Sequence, residues 1–306
     1  MGIQQWIRKA ELLITNGKIT VDLSNLHFKF TTKAAVIGTP KILQLRVYNV
    51  APNTIKQILN EGLEVQLSAG YEGNSSLIFS GQIRQINVGK ENGVDTFLDI
   101  QATDSDRLFS NGFVSMTVNK GSNLNQRLYG IAQEADVKID YTGIDDKSEL
   151  PRGRVYHGRI RNHLRTATAQ TGTDWHIENG GINIIARNGY LSQEVQEINK
   201  ATGMIGLPMQ TIEGIHVKCL LNPSIKIGCP IKLDNGSVQY LQQGLSLQEE
   251  AQWNLNISPL SPNGIYKVLY INHEGDIRGQ SWYSNVICYS IEPGLTPSAL
   301  KYSVPQ

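Results

Sequence analysis

The chain has 306 residues, with 28 Lys plus Arg against 27 Asp plus Glu, and a formal net charge of +1. Charged residues are 18% and hydrophobic residues 40% of the total, with a mean hydropathy of -0.25, which excludes a disordered chain, a strongly acidic tail protein and a simple polyanion-coating protein. The length fits two or three domains, and a charge-poor surface with a net charge near zero tends to associate with other protein surfaces, a first pointer to an assembly component.

The amino terminus, Met1-Gly2-Ile3-Gln4-Gln5-Trp6-Ile7-Arg8-Lys9, lacks the continuous apolar core and cleavage site of a signal peptide. It also lacks the hydroxyl residue of a myristoylation motif. No apolar run approaches the roughly 20 residues of a membrane span, so a chain that matures in the cytoplasm without a membrane segment is expected.

Glu11 to Thr15 and Lys18 to Leu23 flank Asn16-Gly17, a strong hairpin signal. Leu26, Phe28 and Phe30 alternate with His27 and Lys29, a period of two with one buried face. Lys41 to Val50 is dense enough in apolar residues to predict a strand covered on both sides. A short helix is predicted after Pro52, where Ile55, Ile58 and Leu59 fall at helical spacing. Leu63, Val65 and Leu67 resume the strand period, followed by Phe79 to Val88 and Val94 to Ala102, split by a turn over Gly89 to Gly93. Short strands with Gly-rich turns predict a barrel or sandwich.

Beyond Asp104 the period changes. Leu124, Leu128, Ile131, Ala132 and Ala135 mark a helix capped by Ser122 or Asn123, with Val137 and Ile139 as a strand after it. A second helix is predicted over Asn162 to Thr171, then strands at Trp175 to Ile177 and Ile182 to Ala186. The middle third thus reads as an α+β insert. Strands return at Ile215 to Cys219, at Ile225 and Ile227, at Ile231 and Leu233, at Tyr266 to Tyr270 and from Trp282 to Ile291, with Glu274-Gly275-Asp276 read as a turn. Pro293 to Gln306 reads as an extended tail.

No nucleophile elbow, P-loop, dinucleotide fingerprint or His-Glu-x-x-His occurs, so no catalytic, cofactor-binding or metal residue is assigned and no cofactor is expected. Cys219, Cys229 and Cys288 fit no zinc spacing and read as buried reduced thiols. The histidines, at 27, 157, 163, 176, 216 and 273, read as surface or edge residues. Asp104 and Asp106 could present paired carboxylates to a metal or a glycoside, although ending one strand and capping the next element explains them more simply. Asp145-Asp146 and Glu249-Glu250 read as solvated loop acids. One stretch breaks the charge balance: Pro151 to Arg165 holds Arg152, Arg154, Arg159, Arg161 and Arg165 and no acid. Arginine forks onto carboxylate or phosphate and is favoured at interfaces, so these five are candidate contacts to an acidic neighbouring subunit or to passing DNA phosphates; the competing reading is a solvated strand and helix face.

Three ordered series then carry a resemblance. They are Thr202-Gly203-Met204-Ile205-Gly206-Leu207-Pro208 with Glu213-Gly214-Ile215-His216-Val217 and Cys219-Leu220-Leu221-Asn222-Pro223; Gly264-Ile265-Tyr266-Lys267-Val268 with His273-Glu274-Gly275-Asp276 and Trp282-Tyr283-Ser284; and, nearer the start, Val47-Tyr48-Asn49-Val50, Ala69-Gly70-Tyr71-Glu72-Gly73 and Ile78-Phe79-Ser80-Gly81-Gln82-Ile83. Together they resemble the baseplate hub proteins of contractile-tailed bacteriophages, the group that includes late control protein D. Ile225-Lys226-Ile227 departs from relatives that carry a proline before the glycine.

The resemblance implies a trimer in which each chain carries two β-barrel domains of the tube type. These would be residues 1–105 and 201–292, flanking an α+β middle domain at 106–200 and followed by the tail 293–306. Three such chains offer six similar barrels to a hexameric tail tube protein on one side and threefold symmetry to a central spike or needle protein on the other, a symmetry adaptor around the DNA channel. Baseplate wedge proteins are further implied partners, and the virion tail baseplate, after assembly in the host cytoplasm, is the implied location. A peptidoglycan-cleaving hub acting through Asp104 and Asp106, and another tail-tube or receptor-binding component, are the alternatives; no lytic domain is implied, and a non-enzymatic role is expected.

Overall fold

Phe28, Phe30 and Thr32 turn one way and Lys29, Thr31 and Lys33 the other along the strand Phe28–Ala35, which sits mid-way across the largest sheet. The structure is a computed structural model describing residues 6–36, 38–61, 64–104, 109, 112–142, 149–178, 180–240 and 260–291. The predicted tail, Asp106, Asp145-Asp146 and Glu249-Glu250 lie outside the described residues.

Along the chain the first elements are β1 (Arg8–Thr15), β2 (Thr20–Asp22), β3 (Phe28–Ala35), β4 (Ile42–Tyr48), α1 (Pro52–Glu61), β5 (Glu64–Tyr71), β6 (Asn74–Glu91) and β7 (Asp95–Thr103). Next come β8 (Phe113–Val118), α2 (Leu124–Glu134), β9 (Ile139–Thr142), β10 (Arg154–Arg159), α3 (Ile160–Thr171), β11 (Thr173–Glu178) and β12 (Gly181–Ala186). The last group is β13 (Gln196–Glu197), β14 (Met204–Thr211), β15 (Gly214–Leu220), β16 (Pro230–Lys232), β17 (Gln239–Tyr240), β18 (Ile265–Asp276) and β19 (Trp282–Tyr289). The protein is mainly β.

The helix starts follow their local chemistry. Asn123 caps α2, its side chain accepting from the Gln126 backbone N–H at 2.9 Å while Gln126 Oε1 accepts from the Asn123 N–H at 3.1 Å. Helix α3 ends at Gly172, whose φ of 62° an L side chain adopts only with strain.

Fourteen strands form one sheet in the order β17-β14-β15-β19-β18-β3-β4-β7-β6-β5-β1-β2, with β16 on β18 and β13 on β16. No ring of pairing closes among the described residues, so the sheet is described by its two halves and the barrels stay an expectation. One apolar cluster lies under the first half, centred on Phe28, Leu45, Leu67 and Phe79. A second lies under the other, built from Val217, Ile231, Tyr266 and Val286. Both clusters fill from the same face. The opposite face is wetted and carries paired charges, Lys218–Glu274 at 3.7 Å, Lys29–Asp276 at 3.6 Å and Arg46–Asp99 at 2.7 Å.

The halves meet where β3 pairs antiparallel with β18 from Ala35↔Tyr270 to Lys29↔Asp276. This corrects the predicted turn at Glu274-Gly275-Asp276, which is the end of a strand. A Cβ on Gly275 would stand 2.4 Å from the Phe30 ring and 2.8 Å from Trp282, so glycine here serves close packing, and the turn follows it with Asp276 Oδ1 accepting from the Arg278 and Gly279 N–H groups. Trp282 is 1% exposed, meets Phe30 edge to face at 5.5 Å and donates its indole N–H to Gly70 O at 3.2 Å, so a residue of the last third completes the first core.

Other corrections are local. β4 is covered on one side at its start, where Ile42 and Gln44 are exposed, because no second layer packs there. Ile225 and Ile227 are buried in turns, with Gly228 at a φ of 79°, and are not strand. The strands β6 and β7 stay paired to Glu91↔Asp95, and Asn92 and Gly93, both at positive φ, shorten the predicted loop.

Gly275→Ala should lower the unfolding free energy by about 1–3 kcal/mol, since the Phe30 and Trp282 rings must move to admit a methyl group. A urea titration reads this directly; an unchanged midpoint would mean that the rings do not close on Gly275.

Candidate functional site

Arginine placement follows from strand and helix parity. β10 pairs with β8 so that Arg159 faces Phe113, His157 faces Ser115 and Val155 faces Thr117. Tyr156 and Val114 turn inward onto α2 and α3, which leaves Phe113, Val155, His157 and Arg159 on an open face. Phe113 is 53% and Val155 68% exposed, large values for apolar side chains beside a run of cations. α3 buries Ile160, Leu164, Ala167 and Thr168, which keeps Arg165 exposed and Arg161 half-buried. Arg154 lies over the Tyr156 ring at 5.4 Å and Arg161 over Phe109 at 5.2 Å, so aromatic faces hold both guanidinium groups.

None of the five predicted arginines forms an ion pair among the described residues. Arg152 and Arg154 come together in one cleft; Arg159, Arg161 and Arg165 lie outside its lining. A sixth cation joins that cleft. Arg127 of α2 was not singled out by sequence, although its place in the buried stripe Leu124, Arg127, Leu128, Ile131 was the signal that could have found it.

A polar junction underlies the middle segment. Its cluster, with Trp175, Ile177, Ile182 and Leu128, is separate from the two sheet cores. Asp104 Oδ1 accepts the Gly180 N–H at 3.1 Å and the Asp104 N–H reaches Lys41 O at 2.9 Å, so the carboxylate ties β7 to the distant β11–β12 turn. Asp104 thus ends its strand as expected, and the element it was expected to cap lies outside the described residues. Lys41 Nζ lies 3.9 Å from Glu178, and burial pulls the Lys41 pKa down while Glu178 and Asp104 oppose the fall. Lys267 Nζ donates to Ala186 O at 2.8 Å, and burial lowers its pKa to about 8. Tyr289 OH donates to Arg187 O at 3.1 Å, and the Arg187 guanidinium pairs with Asp174 at 3.2 Å.

Two histidines expected at the surface are fully buried. His176 Nε2 has no hydrogen-bond partner and stands 4.0 Å from Glu178, and burial lowers its pKa to about 4. His273 Nδ1 bonds Ser284 Oγ at 2.8 Å, and burial lowers its pKa to about 3. Sequence alternation placed both on strands but could not say that a third segment covers them. Lys41, His176 and His273 are buried and Glu178 is half-buried, and the hydrogen bonds of this junction join segments distant in sequence. The three cysteines are buried free thiols, and burial raises Cys219 to about 12 and Cys229 to about 11. Among the described residues no three His, Cys, Asp or Glu side chains gather as a metal site, and no helix is long and apolar enough to cross a membrane.

Residues 44–237 match the family model described as Baseplate hub gp41. No curated protein sequence matches the chain. Among solved structures, the 43 kDa tail protein of prophage MuSo2 from Shewanella oneidensis is similar with a TM-score of 0.60 at 8% identity, over 93% of this chain and 97% of that one. The tail protein of Neisseria meningitidis MC58 has a TM-score of 0.58 at 8% identity, over 95% and 98%. An E. coli component of the type VI secretion system, described as similar in structure to the T4 bacteriophage tail proteins gp27 and gp5, has a TM-score of 0.54 at 10% identity, over 86% and 73%. At such identities these likenesses concern the fold.

The buried His176 makes stability fall with acid. Above its ordinary value of 6.5 both states hold it neutral; between 6.5 and about 4 the unfolded chain takes up a proton that the folded chain refuses. His176 alone should then remove about 3 kcal/mol by pH 4. Urea unfolding of the wild type and His176→Gln at pH 7.5 and near pH 4.5 should converge in acid; parallel curves would assign the loss to other groups.

Proposed function

The chain belongs to the Baseplate hub gp41 family, which implies a place in the virion tail, and on that premise we propose that three copies form a closed structural ring joining a hexameric tail tube to a threefold spike. The observation that carries this reading is the shared sheet. The first and last thirds lie side by side through β3 and β18, each fills its own apolar core from the same face, and the two share one wetted face. Three copies would present six such halves to a sixfold tube. In this reading residues 1–105 and 201–292 are the two tube-type, barrel-like domains, completed by neighbouring subunits, and 106–200 is the projecting middle domain followed at the other end by the tail 293–306. The wetted face is the proposed wall of the DNA channel, because its paired charges leave little net attraction for a passing polyanion.

The tube protein, a central spike or needle and the wedge proteins are the proposed partners, assembled in the host cytoplasm. The role is structural rather than enzymatic. Asp104, the described member of the acidic pair, is 2% exposed and bonded to Gly180, which supports a joining function for it. The arginine segment is proposed as the contact to an acidic neighbour, supported by its lack of ion pairs among the described residues and by the exposed Phe113 and Val155 beside it.

Native mass spectrometry with and without the tube and spike proteins should find a trimer, and a strictly monomeric chain under all these conditions overturns the ring. Separately, Arg159→Glu with Arg165→Glu should block incorporation into tails while shifting Tm by less than about 2 °C, since both side chains are exposed and form no ion pair among the described residues. Normal incorporation would return the segment to a solvated face.

A further inference from the structure

Arg127 is 4% exposed, and among the described residues its one side-chain hydrogen bond runs from Nε to Asn123 O at 3.3 Å. A guanidinium has five N–H donors and keeps its charge at any physiological pH, so burial without an ion-pair partner is costly. No ion pair reaches it among the described residues. It lines a cleft of about 450 Å³ with Glu149, Pro151, Arg152, Arg154 and Thr171. One wall is pinned by backbone bonds from Gly121 N to Leu150 O at 2.9 Å and from Leu150 N to Ser122 O at 3.0 Å, so the cleft is built before anything enters it.

We propose that this cleft takes an Asp or Glu side chain from an acidic segment of a neighbouring protein, its carboxylate forking onto Arg127 while Arg152 and Arg154 hold flanking acids at the mouth. A guanidinium fork accepts carboxylate or phosphate alike. Position and lining favour the carboxylate. Arg127 is a buried member of the cleft lining and Arg152 and Arg154 are exposed members, an arrangement that suits a single acidic side chain better than a duplex backbone. Leu150 and Pro151 suit an aliphatic stem, and Glu149 opposes a doubly charged phosphate more than a single carboxylate. The inference rests on the arginine segment being an interface, and it adds the residue and the ligand class.

The test is calorimetric titration of the full chain with the peptide acetyl-Gly-Glu-Leu-Glu-Gly-amide, its Gln counterpart and inorganic phosphate. The Glu peptide should bind saturably and the Gln peptide at least about tenfold more weakly. Arg127→Met should lose binding by a similar factor without lowering Tm, because the aliphatic stem stays and an unpaired buried charge is removed. Arg152→Ala with Arg154→Ala, at exposed positions, should weaken binding several-fold and preserves the test if the Met variant fails to fold. Equal binding of the Gln peptide, or indifference to Arg127→Met in a folded protein, overturns the site. Phosphate binding tighter than the Glu peptide overturns the protein segment as ligand. Tighter peptide binding by Asp145→Asn with Asp146→Asn would show the chain's own acids in the cleft and overturn the partner. These readouts use the isolated chain, so they can fail while the ring stands, and the reverse.

Discussion

Backbone pairing between β3 and β18 is the constraint on which the remaining architecture hangs. It joins strands from opposite ends of the chain, and its register sets which side chains share a face. Phe30 opposes Gly275, Thr32 opposes His273 and Ala34 opposes Ile271, all toward the cores, while Lys29, Thr31 and Lys33 face water with Asp276, Glu274 and Asn272. A slip of one residue would drive Lys29 and Lys33 into apolar clusters and expose Phe30. Gly275 and Trp282 protect that register, because the rings of Phe30 and Trp282 occupy the volume a side chain at 275 would need.

Joining two cores across one sheet leaves a gap where they meet, and polar groups fill it. Thr32, His273, Ser284, Lys41, Glu178 and His176 gather there, under the middle segment. Buried polar groups cost stability unless paired, and several here are paired across segments far apart in sequence. Lys267 to Ala186 and Asp104 to Gly180 are backbone-directed bonds, which specify position more tightly than apolar contact does. The middle segment is thus oriented by few, directional contacts, and its own cluster of Leu128, Trp175 and Ile184 supplies the bulk of its burial.

This division of labour suits an assembly subunit. Ion pairs on the wetted sheet face neutralise one another, whereas the arginines of β10 and α3 and the buried Arg127 form no ion pair among the described residues. That pattern is the basis on which the arginine segment is proposed as a contact to a neighbour, a proposal separate from the family assignment.

Much of the local structure was legible in the residues. Alternation at Phe28 and Phe30, the stripe Leu124, Leu128, Ile131, a cap at Ser122 or Asn123 and the glycine after Thr171 act through neighbours within a few residues, so propensity and period suffice to read them, and the structure chose Asn123. The arginine cluster was legible for the same reason, being contiguous. What only the tertiary structure decided depends on segments far apart in sequence: the sheet shared by the first and last thirds, the strand at Gly275, the burial of His176 and His273, the bond of Asp104 to Gly180, and the place of Arg127 in a cleft with Arg152 and Arg154. A strand's period tells which residues share a face but not what covers it, and a long-range pairing leaves no local trace in the chain that makes it.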